Sequence, residues 1–221
     1  MSQPPRRRSR FRAAHRLSGG VVLALAVTAC SGSGAGDTTI TTPDGSEFPA
    51  VQGPLCGALP QGDDPGGPAL LVVEPAAVAL TWIPVLTNFE AGVRAAGLDA
   101  ELNTVDAVTI LAPTDDAFTS TFTQDTLDDL LLHRQDAFGT LLEAHIVEGD
   151  MTVADLIEAG TVTTLGGDTI TVTASGNMAR FDDRAETVCA DYRVANATIH
   201  VIDGVLGEHP EPADPDDLGG G

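Results

Sequence analysis

The sequence predicts an α+β domain, and three observations carry that reading. Apolar residues recur at helical spacing through the first half of the central segment, they alternate with polar ones through the second half, and an apolar fraction of 43% supplies a core. With an aromatic fraction of only 4%, that core is built from Val, Leu, Ile and Ala. The chain divides into an export leader over 1–29, a flexible tether over 30–53, one folded domain over 54–208 and a disordered acidic tail over 209–221.

The leader carries Arg6, Arg7, Arg8, Arg10, Arg12 and Arg16, and no acidic residue precedes Asp37. Its apolar run from Val21 to Val27 is too short to span a bilayer, which takes about 20 such residues. With the small Thr28 and Ala29 behind it, the run has the make-up of a secretory signal. The tetrad Val27-Thr28-Ala29-Cys30, followed by SGSGAG, resembles the lipobox of bacterial lipoproteins, in which the cysteine is acylated and becomes the first residue after cleavage. Val27 stands where Leu is commoner, and ordinary cleavage beside a chance cysteine is the alternative. Arg7 and Arg8 hint at twin-arginine export, but Phe11 is one place off the usual spacing, so the export route stays open. Lipid on Cys30 implies a place on the outer face of a membrane, with acyl chains contributing about 0.8 kcal/mol per buried methylene and no protein contact with the bilayer. Without it the chain is secreted.

Beyond the leader, five arginines face 32 acidic residues, a net charge of −27, and the chain has no lysine. Such a polyanion is repelled by phosphate backbones and anionic headgroups, which argues against nucleic acid and against direct electrostatic docking on membranes. Without lysine there is no phosphate-loop lysine, no Schiff base and no Ser-Lys pair. Once Cys30 is assigned to lipid, Cys56 and Cys189 form an even pair, and an oxidising exterior makes a disulfide the expected outcome. Closing so long a loop is worth about 5 kcal/mol at most. A redox-active or metal-binding pair is the alternative, although neither cysteine has a Cys or His close by in sequence.

Taken in order, the segment from Ser31 to about Gly53 is Gly, Ser, Thr, Asp and Pro with few apolar positions, so it lacks the means to form a core. Helical character begins with PAAVAL at Pro75–Leu80. After Pro84, which suits a first turn, Val85, Leu86, Phe89, Val93 and Ala96 share a face up to a stop at Gly97. A β run at Val108–Leu111 leads to Thr114, placed to cap a short helix whose first turn carries Asp115 and Asp116. A second helix is expected from Thr126 and a third around Phe138, Leu141 and Leu142. A short helix over Val153–Glu158 ends at Gly160. TVTTL, Gly166-Gly167 and DTITVTA then read as a hairpin, with further strands at Met178–Phe181, near Val188 and at Thr198–Ile202. No internal repeat is present.

Four blocks carry a family resemblance. TILAPTDDAF from Thr109 is similar to the opening signature of fasciclin domains, and LLEAHIVEGDMTVADL from Leu141 to the second one. TVTTLGGDTITVT from Thr161 is similar to the hairpin, and ANATIHVIDGVL from Ala195 to the closing strand. Cys56 in GPLCG and Cys189 in ETVCADYR resemble the paired cysteines of the secreted and lipid-anchored mycobacterial single-fasciclin antigens. The resemblance covers about Leu70 to Leu206. It implies a β-sandwich-like wedge of antiparallel strands with covering helices, and a role in adhesion or in binding a surface or matrix partner. One departure stands out: the family usually has Tyr before the His of its second signature, where this chain has Ala144 before His145. That pair is tied to integrin binding in animal members, so receptor binding of that kind is in doubt.

No catalytic residue, cofactor or metal site is predicted. His133, His145, His200 and His209 are the imidazoles of the domain, and none forms a metal-binding pair at helical spacing. His145 reads as a hydrogen-bonded structural residue at a strand start, His200 as facing solvent from an alternating strand, and His209 as part of the tail. The pairs Asp63-Asp64, Asp115-Asp116, Asp128-Asp129, Asp182-Asp183 and Asp216-Asp217 lack the alternating oxygen ligands of a calcium loop. Asn196-Ala197-Thr198 matches a glycosylation sequon but reads as serving packing and turn geometry. The expected partner is a protein or polysaccharide met by a monomer, and carriage of a small apolar ligand or lipid is the alternative function.

Overall fold

The structure, a computed structural model, describes residues 39–41, 47–105 and 107–210. The expected leader, Cys30, the start of the tether, Asp216-Asp217 and the tail from residue 211 lie outside them. Within the stretch read as a tether, β1 (Thr39–Thr41) and β2 (Glu47–Pro49) pair antiparallel, and Gln52 bridges to Ala190.

Helices come first. After a single 3-10 turn at Cys56–Ala58 the chain forms α1 (Pro68–Leu71), α2 (Ala76–Leu80), α3 (Thr87–Ala95) and α4 (Asp99–Leu102). The expected helix after Pro84 starts three residues later, because the Val85 carbonyl accepts from the Asp115 N–H at 2.8 Å and so leaves the helical ladder. The Asp115 carboxylate in turn accepts from the Asn88 N–H at 2.7 Å, supplying from outside the cap that Leu86 cannot. Strand β3 (Val108–Pro113) leads into α5 (Asp115–Thr121), whose cap is Thr114 accepting from the Ala117 N–H at 3.1 Å. The next helix, α6 (Gln124–Leu132), begins ahead of Thr126 because the Thr123 hydroxyl takes the Thr126 N–H. Then come α7 (Gln135–Glu143) and β4 (Ile146–Glu148). The helix α8 (Val153–Ala159) has a capping box between Thr152 and Asp155 and ends at Gly160, whose φ of 67° suits glycine.

Strands follow: β5 (Thr161–Thr163), β6 (Thr169–Ser175), β7 (Met178–Phe181), β8 (Ala185–Arg193) and β9 (Ala197–Ile202). They join β3 and β4 in one seven-stranded sheet of order β4-β3-β9-β8-β7-β6-β5. All ladders are antiparallel except β3 with β9, which run parallel from Val108 beside Ala197 to Pro113 beside Ile202. The two edges approach each other through a Val147–Thr164 bridge and a Leu165 N–H to Ile146 carbonyl bond of 2.7 Å. The sheet thereby curls into a nearly closed wedge.

Two cores result. The larger packs α1 to α7 on one face of β3, β8 and β9, with Phe89, Phe118, Phe138 and Tyr192 at its centre. The smaller lies inside the curl, where α8 sets Val153 and Leu156 against Ile170, Val172 and Phe181. Cys56 and Cys189 form a disulfide across 133 residues with Cα atoms 5.0 Å apart. It fastens the N-terminal segment to β8.

Two buried groups make the packing testable. The His145 Nδ1–H donates to the Leu141 carbonyl at 2.8 Å, while Nε2 accepts from the Leu206 N–H at 2.9 Å, a network that assigns the neutral tautomer. Burial, offset in part by the Leu141 bond, pushes the His145 pKa down from 6.5 to about 4. The folded state therefore stays neutral where the unfolded chain takes a proton, so stability falls as pH drops through the window from 6.5 to about 4. The full effect is about 3 kcal/mol. Relative to His145→Gln, the wild type is expected to lose about that much extra stability across the window, measured by urea unfolding at stepped pH. Parallel curves would refute it. The Tyr192 hydroxyl, buried and with no hydrogen-bond partner among the described residues, has its pKa pushed up to about 12 by desolvation. Tyr192→Phe removes a polar group that lost water and gained nothing, so it is expected to stabilise by about 1 kcal/mol. A lower denaturation midpoint for Tyr192→Phe would show that the hydroxyl is paired.

A candidate binding groove beside the single tryptophan

Two histidines, His145 and His200, are structural posts in this fold. His145 is sealed as described, in the role expected for it. His200 differs from expectation: it is fully buried, because β9 is covered on both faces, and its side chain is hydrogen-bonded at both nitrogens. Its Nδ1 accepts from the Asp191 N–H at 3.3 Å and its Nε2 faces the Met151 carbonyl at 3.0 Å. Burial lowers its basicity against the raising influence of the Asp191 and Asp150 carboxylates and the Met151 bond. His209, expected in the tail, instead packs its ring edge-on to Phe122 with centroids 5.4 Å apart and reaches the Val205 carbonyl. His133 lies on the surface 3.4 Å from Asp129, whose second oxygen is held by Arg134 at 2.7 Å.

Among the described residues the acidic pairs do not converge. Asp115 caps α3, Asp182 accepts from the Thr171 N–H at 2.7 Å, and Asp63 and Asp64 are exposed. Among the described residues no group of three or more His, Cys, Asp or Glu comes together as a metal site. Asn196 ends the β8–β9 turn and ties it to the helices: its Oδ1 accepts from the Ala76 N–H at 2.9 Å, and its Nδ2 donates to the carbonyls of Leu102 and Val105.

The unexpected feature is apolar and lies at α1 and α2. Leu70, Val73, Val78, Trp82 and Leu132 are the large hydrophobic side chains left exposed among the described residues, and only Leu132 falls outside this region. Each short helix buries one face, Leu71 in α1 and Ala76, Ala79 and Leu80 in α2, and leaves the other in water. Trp82 is 51% exposed although Ile83 beside it is buried. Between them lies an open groove of about 350 Å³, lined chiefly by Pro65, Leu70, Val73, Glu74 and Trp82.

The groove is held from below. The Ala195 N–H donates to the Glu74 carbonyl at 2.9 Å, next to the Asn196 contact with Ala76, so the β8–β9 turn fixes the link between α1 and α2. On the other side Gly66, at φ 84°, presses against the Trp82 backbone, where a Cβ would stand 2.4 Å from the carbonyl oxygen. Only glycine permits that approach. The sequence signal for this site is the solitary Trp82 in a segment whose apolar residues exceed what two short helices can bury, a signal that periodicity alone does not isolate.

Comparison with known proteins places the fold. The profile of the Fasciclin domain matches residues 84–208. Immunogenic protein MPB70 of Mycobacterium bovis is 34% identical over 169 residues, covering 72% of this chain and 84% of that protein, and immunogenic protein MPT70 of Mycobacterium tuberculosis matches to the same extent. Protein sll1483 of Synechocystis is 32% identical over 139 residues, 62% of this chain and 73% of that protein. Among solved structures, the FAS1 domain pair of the insect cell adhesion molecule fasciclin I superposes with a TM-score of 0.55 at 18% identity, over 61% of this chain. The chain spans about half, 51%, of that two-domain structure. The likeness there is one of fold. With the profile and the mycobacterial relatives in agreement on sequence, the chain belongs to the fasciclin domain family.

Proposed function

We propose that the chain is an exported binding module, held at the outer face of the membrane by lipid on Cys30, that engages a protein or polysaccharide partner through the groove beside Trp82. The observation that carries this reading is the placement of the rings. Phe89, Phe118, Phe122, Phe138, Phe181 and Tyr192 are all buried, and Trp82 stands half in water amid Leu70 and Val73. An aromatic anchor in an apolar surround is the usual make-up of a binding hot spot. The insect protein of the same fold is a cell adhesion molecule, which agrees with adhesion, and the mycobacterial relatives are immunogenic proteins, which agrees with exposure to a host. Binding is favoured over catalysis because His145 and His200, sealed from solvent, cannot meet a substrate.

The groove volume, at the lower end of the range for small-molecule sites, also fits carriage of a small apolar ligand. Lipid co-purified with the chain in native mass spectrometry, and lost from Trp82→Ala, would favour that second reading.

Truncating a central tryptophan typically costs about 2 kcal/mol or more, about 30-fold in affinity. Binding of the full chain to immobilised envelope polysaccharides and extracellular matrix proteins is therefore expected to fall about 30-fold in Trp82→Ala, with unfolding unchanged. Undiminished capture by Trp82→Ala and by Leu70→Ser would remove the groove from the binding surface. Palmitate labelling is expected in the wild type and absent from Cys30→Ala, and labelling of neither would place the chain off the membrane.

A further inference from the structure

We propose that the groove beside Trp82 selects a cationic protein segment: an Arg or Lys side chain lies against the indole with its charge toward Glu74, and a neighbouring aliphatic residue covers Leu70 and Val73. This rests on the reading of the groove as the binding face and names the chemistry of its occupant.

Glu74 lines the same groove as Trp82. Its carboxylate makes no hydrogen bond or ion pair among the described residues, although its backbone is firmly held by Leu71 and Ala195. No arginine of the domain answers it. Arg94 pairs with Glu90, Arg134 with Asp129, Arg180 with Glu186 and Arg193 with Asp150, while Arg184 donates to the Gly207 carbonyl. A half-exposed indole and an unpaired carboxylate bordering one apolar groove attract the same thing, a cation on an aliphatic stem. The indole face draws it through the ring quadrupole, and the stem packs on the apolar wall.

The wider charge narrows the occupant further. The whole chain carries −21, and the part beyond the leader −27. A second copy brings the same charge, and an anionic lipid surface likewise, so both are opposed at encounter. A basic segment is steered toward the groove by the field that repels those two. A polysaccharide without amines offers the carboxylate nothing to pair with. The groove is too small to make an interface alone, since stable ones bury about 800 Å² per partner. It is the anchor within a larger contact.

Trp82 is the only tryptophan and lines this groove, so its fluorescence reports changes at the groove. The experiment titrates the full chain with a short amphipathic peptide of Leu and Arg, with the same peptide carrying Gln for every Arg, and with a third carrying Glu. The Arg peptide is expected to shift the emission and to bind about tenfold tighter than the Gln peptide at low salt. That advantage should shrink as salt rises, and the Glu peptide should leave the emission unmoved. Glu74→Gln is expected to cut the preference for Arg about fivefold, whereas Glu158→Gln, an exposed acid on α8, leaves it intact. Equal binding of the Arg and Gln peptides, each shifting the emission, overturns cation selection and leaves the binding face standing. Equal effects of Glu74→Gln and Glu158→Gln show diffuse attraction to a polyanion and overturn the assignment to Glu74. If no peptide moves the emission and partner capture survives Trp82→Ala, the groove reading falls with it. The peptide series on the unmodified chain decides the matter even if a variant folds poorly, which far-UV circular dichroism checks.

Discussion

Two neighbouring strands, β3 and β9, have every residue buried, and the rest of the molecule is arranged to cover them on both sides. A strand with one wet face can put polar residues there at no cost. A strand without one must find each of them a partner or bear the cost of desolvation. Val108, Ile110, Ala112, Ile199 and Val201 meet the helices of the larger core. The other face holds Thr109, Thr198 and His200, and each is satisfied by the turn that precedes α8. The Thr109 hydroxyl donates to the Gly149 carbonyl and accepts from the Met151 N–H, Thr198 bonds the Asp150 carboxylate, and His200 meets the Met151 carbonyl. The polar stripe on the central strands thus fixes the turn, and the turn delivers α8 as the lid of the second core.

Asp191 extends that arrangement. It is buried, sits at a φ of 67° in the irregular part of β8, and divides its carboxylate between the Val153 N–H at 2.8 Å and the Gln52 side chain at 2.9 Å. Its backbone N–H reaches His200. One residue therefore ties the start of α8, the central strand and the N-terminal segment. With the Cys56–Cys189 bond close by on β8, the N-terminal segment is held both covalently and by hydrogen bonds. The irregular β8 is the means by which a single strand serves both cores, with Cys189 and Tyr192 in one and Ala185 and Ala190 in the other.

The period of the apolar residues made the helices and strands readable, and cysteine parity made the disulfide readable, because both are local or countable properties. What resisted reading depends on contacts between distant segments. The late start of α3 follows from Asp115, 27 residues on, taking over the capping role. The burial of His200 follows from α8 and the curled sheet covering a face that alternation alone marks as wet. The parallel pairing of β3 with β9 follows from a long excursion through the other strands, which no hairpin signal announces. The groove beside Trp82 was hidden for the opposite reason: Leu70, Val73 and Trp82 are apolar, so in sequence they look like core, and only the packed structure shows them exposed.

The groove also sits where the fold can accommodate change. The family profile matches residues 84–208, whereas Pro65, Leu70, Val73, Glu74 and Trp82 precede that stretch. The cores and the closing of the wedge draw mostly on the matched part, and the added segment is docked on it by the disulfide, by the Asn196 side chain and by the Ala195 N–H. Each of these holds backbone or buried atoms and none uses an exposed side chain of α1 or α2. The outward faces of those helices are therefore free of any duty to the fold. Leaving Trp82 half in water forgoes burial worth about 25 cal/mol per Å² of apolar surface. Among the described residues Phe89, Phe118, Phe122, Phe138, Phe181 and Tyr192 are committed to the core, whereas Trp82, just after α2, gives up that stabilisation on a face whose exposed side chains hold none of the contacts that dock this segment.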